Sequence, residues 1–154
     1  MSSVKFKNTR FNPESTPFLD IAKQMAEAFG YTAKNLKTDS KLAQLIRLRV
    51  AQKNECAYCV ILHAKTAREI GIREEKVDNI SSWYNSELFT IKEKAALAYC
   101  DALTDGKKVG FQKFHQVMTQ YFNEVEIAEI AAVVINMNVW TRLKLAQGET
   151  PYFE

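Results

Sequence analysis

Three features of this 154-residue sequence predict an all-α fold. Helix breakers are scarce, with five glycines and three prolines, and no stretch shows convincing strand alternation. Apolar residues recur three and four apart through most of the chain. The segments that carry this period are bounded by helix caps. Together these predict a compact bundle of about six or seven helices joined by short connections.

The first helix is expected to open in "STPFLD". Thr16 is its cap and Pro17 its first residue, where the missing N–H would be unpaired anyway. Phe18, Ile21, Ala22, Met25 and Phe29 form its apolar stripe, and Gly30 stops it. A second helix runs from Asp39 or Ser40 to near Gln52, carrying Leu42, Leu45, Ile46 and Leu48. Asn54 breaks that helix and caps the third, which runs from about Cys56 to Glu69 and ends at Gly71. "REEKVDNI" reads as a short helix and "SSWYNSELF" as the loop after it. Thr90 with Glu93 is a capping box for a helix reaching about Leu103. "GFQKFHQVMTQYF" places Phe111, Phe114, Val117, Met118 and Tyr121 on one stripe. Asn123 with Glu126 caps the last helix, which runs to about Ala146. Its centre, Ile130 to Trp140, is apolar nearly all round, so it is buried on several sides, in the core or at a subunit interface. One domain is expected over residues 1–154, with a core at about 16–147.

Net charge is +3, from 21 basic and 18 acidic residues. The charges are interleaved, which argues against nucleic acid as the main partner. The longest apolar run, "IAAVVI" at 130–135, falls far short of the ~18 residues of a membrane span. "MSSVKFKNTR" has no apolar stretch of the secretory type, so a cytoplasmic location with no membrane partner is expected. In a reducing compartment three cysteines do not suggest a disulfide scaffold, and a Cys-x-x-Cys pair points to metal or redox chemistry.

That pair lies in "NECAYCVILH". Cys56 and Cys59 are three apart, Cys59 and His63 four, so on a helix all three share one face. Both cysteines fall in the first turn, where free N–H groups and the positive dipole end favour a thiolate. An imidazole one turn later can accept the thiol proton, directly or through water. The second cysteine can convert a sulfenic acid to a disulfide. This pattern supports peroxide reduction or dithiol–disulfide exchange without a bound cofactor. Proximity to His63 favours Cys59 as nucleophile, and proximity to the helix start favours Cys56. Covalent haem attachment is excluded, because Val60 rather than His follows Cys59. Structural zinc would need a fourth ligand from His115, Cys100 or a carboxylate, and no second pair stands at finger spacing. Inert buried packing of the pair does not suit a helix start beside Asn54 and Glu55. Cys100, flanked at helical spacing by Ala96, Leu97 and Leu103, reads as a packed thiol, and His115 as a surface residue.

"LRVAQKNECAYCVILHAKTAREIG" resembles the signature of the AhpD-like, carboxymuconolactone decarboxylase superfamily, matching at Leu48, Arg49, Asn54, Cys56, Tyr58, Cys59, His63, Ala67 and Arg68. "WYNSELFTIKEKAALAYCDALT" and "INMNVWTRL", with Asn138, Trp140 and Arg142, are similar to two further blocks of that family. The resemblance implies an all-α fold assembled as a homotrimer or hexamer. It also implies reduction of alkyl hydroperoxides, with a dithiol carrier as reductant. By its pattern Cys59 attacks, Cys56 resolves and His63 belongs to the proton relay. Three positions depart from it or bear on it. Gln44 stands where the AhpD type has a relay glutamate, so it positions a water rather than acting as base. Glu55 stands where a glycine is expected, and Tyr58 precedes Cys59 where AhpD has a histidine. A decarboxylase-type lyase using the same pocket is the alternative enzyme class, although that branch generally lacks the CxxC pair. A non-catalytic redox-sensing oligomer is the alternative outside enzymes.

Overall fold

The computed structural model describes residues 3–154. Its elements run β1 (Val4–Asn8), α1 (Phe18–Phe29), α2 (Ser40–Lys53), α3 (Ala57–Glu69), α4 (Glu74–Asn79), α5 (Ile91–Thr104), α6 (Phe111–Thr119), α7 (Glu124–Gln147) and β2 (Glu149–Phe153). The starts of α2, α3, α5 and α7 fall where side chains satisfy free N–H groups, whereas α4 and α6 have no side-chain cap and α1 begins at Phe18 with Pro17, not Thr16, in the cap position. The Asp39 carboxylate accepts from Leu42 N–H at 2.9 Å. Thr90 with Glu93, and Asn123 with Glu126, form complete capping boxes.

The hub is α2, which packs against α3, α5 and α7. Its Leu42, Ile46 and Val50, four apart, face one apolar cluster with Ala96, Met118, Ile130 and Met137. Leu45 and Leu48 face a second cluster with Ile80, Trp83, Phe89 and Leu97. Each such buried side chain contributes about 1.5–3 kcal/mol relative to exposure. Arg49 leaves this helix to meet Asp101 with two hydrogen bonds, at 2.8 and 3.0 Å, and the Trp83 indole donates to the same carboxylate.

Several expectations are corrected. Of the α1 stripe, Ala22 is buried, while Phe18 and Ile21 are 49% and 57% exposed. The centre of α7 is buried on several sides, as expected, and Ile135, 49% exposed, marks the side left open. The segment after α4 is not a loop: Ile80–Asn85 winds as a 3-10 turn that drives Trp83 into the second cluster. Two strands, not foreseen, pair antiparallel with Phe6 opposite Pro151. Each is too short for alternation to register, and their partnership joins opposite ends of the sequence. Beyond them, Thr9 and Arg10 N–H groups donate to the Gly148 and Gln147 carbonyls, each at 3.0 Å. Among the described residues, no helix is long and apolar enough to cross a membrane.

Candidate functional site

The link between α2 and α3 positions the thiols. At the end of α2, Glu55 N–H donates to Gln52 O and Cys56 N–H to Ala51 O, each at 3.1 Å. This double closure is a Schellman motif, whose outer residue adopts a left-handed backbone. That residue is Glu55, with φ +51°. A glycine suits the position because it lacks a Cβ, and the Glu55 carboxylate is carried to the outside. It lines neither of the two cavities at the site.

Asn54 ends α2 but does not cap α3. Its amide instead donates to Asn138 Oδ1 at 3.0 Å and Thr141 Oγ1 at 2.9 Å, tying the turn to α7. The cap of α3 is Cys56 itself, whose Sγ accepts from Cys59 N–H at 3.3 Å. Cys56 and Cys59 are joined as a disulfide across this turn, with Cα atoms 5.2 Å apart. Both are buried, as are His63, Gln44 and Arg47.

A cavity of about 360 Å³ opens beside them. Cys59 and His63 lie in its wall and Cys56 does not. Tyr31, Tyr58, Leu62, Met137 and Trp140 give it a largely apolar and aromatic lining. Tyr31 stands edge-on to the His63 ring at 5.8 Å, and Tyr58 edge-on to Phe6 of β1 at 4.9 Å. Lys144 lies 4.3 Å from the Tyr58 ring centre and pairs with Glu149 of β2 at 2.6 Å. Burial, then the Glu149 carboxylate and Tyr31, push the Tyr58 phenol above its ordinary range.

Behind His63 sits a polar chain. Arg47 Nη1 donates to Gln44 Oε1 at 3.1 Å. The Gln44 amide is thereby oriented, and its Nε2 lies 3.1 Å from the His63 carbonyl and 3.2 Å from His63 Nδ1. An Nε2 amide donates, so Nδ1 accepts, and the neutral ring carries its proton on Nε2. Burial, and then the Arg47 charge, hold the imidazole pKa down at about 4. His63 is thus a neutral N–H donor at ordinary pH. This bears on the expected part of His63: in this tautomer Nε2 carries the proton, so the nitrogen not engaged by Gln44 offers a donor rather than a base. Gln44 and Arg47 also line a second cavity of about 120 Å³, which His63 does not line.

Cys100 is fully buried, and burial raises its thiol pKa far above the usual range, as its packed setting implied. His115 is exposed. Among the described residues, no group of three or more His, Cys, Asp or Glu side chains is arranged to hold a metal ion. Motif spacing did not reveal Tyr31, Arg47, Asn136, Met137 or Lys144. One signal was present for the last helix: Asn136, Trp140 and Lys144 are four apart and share a face.

Residues 20–102, more than half of the chain, match the sequence profile of the carboxymuconolactone decarboxylase family. The chain is 29% identical over 107 residues to the uncharacterized protein YdfG of Bacillus subtilis (strain 168), covering 68% of this chain and 72% of that protein. It superimposes with a TM-score of 0.83 and 25% identity on a protein of unknown function from Agrobacterium tumefaciens, suggested to be the antioxidant defence protein AhpD, covering 92% of this chain and 96% of that one. At 19% identity and a TM-score of 0.72 it shares the fold of the debrominase Bmp8, crystallised with 2,3,4-tribromopyrrole, covering 90% of this chain and 71% of that one.

Proposed function

The chain belongs to the carboxymuconolactone decarboxylase family, and from that premise we propose that it is a cytoplasmic thiol-dependent peroxidase of the AhpD type, acting on organic hydroperoxides. One observation carries the reading. Of two cysteines paired across a helix start, Cys59 alone faces an apolar cavity large enough for a small organic molecule.

The first turn of α3 favours a thiolate at Cys59 through its N–H groups and dipole. That sulfur attacks the terminal oxygen of R–O–O–H. A sulfur–oxygen bond forms, the O–O bond breaks, and its electron pair leaves with the inner oxygen as alkoxide. Cys59 becomes a sulfenic acid and the alkoxide takes a proton from solvent. Cys56 then attacks the Cys59 sulfur, closing the disulfide and releasing water. A dithiol carrier restores both thiols by exchange. His63 assists as a neutral N–H donor to developing negative charge, the part a neutral imidazole plays in other enzymes. Gln44 holds its tautomer, and Tyr58 shapes the cavity wall.

The test uses reduced protein and cumene hydroperoxide, with thiols counted by mass spectrometry. Wild type should lose two thiols per peroxide. Cys56→Ser should stop at a sulfenic acid that dimedone traps, and Cys59→Ser should consume no peroxide above background. A Cys59→Ser protein that turns over at the wild-type rate would sink the proposal.

A further inference from the structure

Four buried side-chain atoms have no hydrogen-bond partner among the described residues: Gln52 Oε1, Asn136 Oδ1, Trp140 Nε1 and Gln147 Oε1. Two of these belong to residues in the wall of the Cys59 cavity, Asn136 and Trp140. Asn136 is 1% exposed. The two residues sit one turn apart on α7, and one supplies an acceptor, the other a donor. They are complementary, yet they are not bonded to each other. Buried polar groups in native proteins are nearly always paired, and an orphan pair in the wall of a cavity is paired when the cavity is filled. The filling group must offer one O–H or N–H donor and one acceptor close together. An apolar remainder suits the wall at Leu62, Met137 and Tyr31, while Lys23, Glu27 and Lys144 bring charge to other parts of the lining.

We propose that Asn136 and Trp140 receive the peroxide group itself. This rests on the peroxidase reading and extends it to residues outside the cysteine motif. The Asn136 side-chain oxygen accepts the terminal O–H of R–O–O–H. The Trp140 indole N–H donates to the inner oxygen, the atom that departs as alkoxide. The terminal oxygen is thereby presented to Cys59 with the O–O bond directed away from the sulfur, and negative charge growing on the leaving oxygen meets a donor already in place. The apolar R group occupies the remaining cavity, so organic hydroperoxides are favoured over hydrogen peroxide.

The experiment measures second-order oxidation rates of the reduced protein by stopped flow, using Trp140→Phe and Asn136→Leu. These changes keep bulk and remove one polar partner each. Two control reactions involve no peroxide: alkylation of Cys59 by iodoacetamide, and reduction of the disulfide by dithiothreitol. Each variant should lose about 10- to 100-fold with tert-butyl hydroperoxide while both controls stay at wild-type rates. Trp140→Phe carries a sharper signature. Its loss should be much smaller with peracetic acid, whose leaving group is a stable carboxylate that needs no donor. Equal losses of Trp140→Phe with both peroxides, or matching losses of either variant in the controls, would mean a structural role and overturn the assignment. So would variants that react as wild type does. Should wild type itself fail to react with any hydroperoxide, the peroxidase reading falls first, and this assignment with it.

Discussion

Gln44 decides which nitrogen of His63 holds the proton. Its amide is pinned by Arg47 on one side and spends its N–H groups on the His63 ring and carbonyl. A carboxylate at the same position would accept from Nδ1, free Nε2 as a base, and raise the imidazole pKa. The consequence can be read in stability. His63 holds a folded pKa of about 4 against an ordinary 6.5. Below 6.5 the unfolded chain takes up a proton that the folded chain refuses. The contribution is therefore complete above 6.5 and is lost as pH falls towards 4. Its size is on the order of 3 kcal/mol. In Gln44→Glu the folded pKa rises, so this acid-side loss between 6.5 and 4 should shrink or vanish in urea titrations at stepped pH. An unchanged slope would show that the ring is not coupled to position 44. Spacing alone exposed Cys56, Cys59 and His63. The tautomer was beyond it, because it depends on Arg47, three residues from Gln44 and sixteen from the ring in sequence.

At the scale of elements, what was legible was what is local. Asp39, Thr90 and Asn123 announce their helices because a cap and its N–H partners lie within three residues. Asn54 misled for the complementary reason: it has the right chemistry for a cap, but α7 supplies better partners in Asn138 and Thr141. The sheet was hidden because its register joins Val4 to Phe153. Gly148 makes that sheet possible. It leaves α7 at φ +70°, and a Cβ there would collide with Thr9 Oγ1. Gly148→Ala should cost about 2 kcal/mol, from the left-handed backbone and the clash together. For a chain of this length that lowers Tm by roughly 4–8 °C. The amides of β1 and β2 should lose hydrogen-exchange protection before those of α2. Equal protection in both variants would show that the strands are held by something other than this turn.

For the whole molecule, one uncovered groove is apolar. Phe18, Leu103, Ile135 and Val139 share a groove between α1, α5 and α7. Phe18 and Ile135 are each 49% exposed there. Long apolar side chains gathered in one groove mark an association surface. We propose that the occupant is a second copy of this chain, in a trimer or hexamer. Light scattering should then give three or six times 17.6 kDa. Phe18→Glu combined with Ile135→Glu should give the monomer while the helical circular dichroism stays unchanged. A monomeric wild type at micromolar concentration would refute the assembly.

Arg47 carries one more consequence. The guanidinium is 4% exposed and rests on the Phe29 carbonyl and the Gln44 amide, with no carboxylate partner among the described residues. While the sulfurs are bonded to each other, this positive charge is uncompensated. An anion formed in this buried site would meet a positive charge that no carboxylate has already neutralised. On the proposed peroxidase reading, the expected outcome is a higher reduction potential in wild type than in Gln44→Glu, measured by redox titration against glutathione. Each tenfold of that preference amounts to about 30 mV. On the same reading, a neutral glutamine at position 44 would set how readily a dithiol carrier restores the thiols between one turnover and the next.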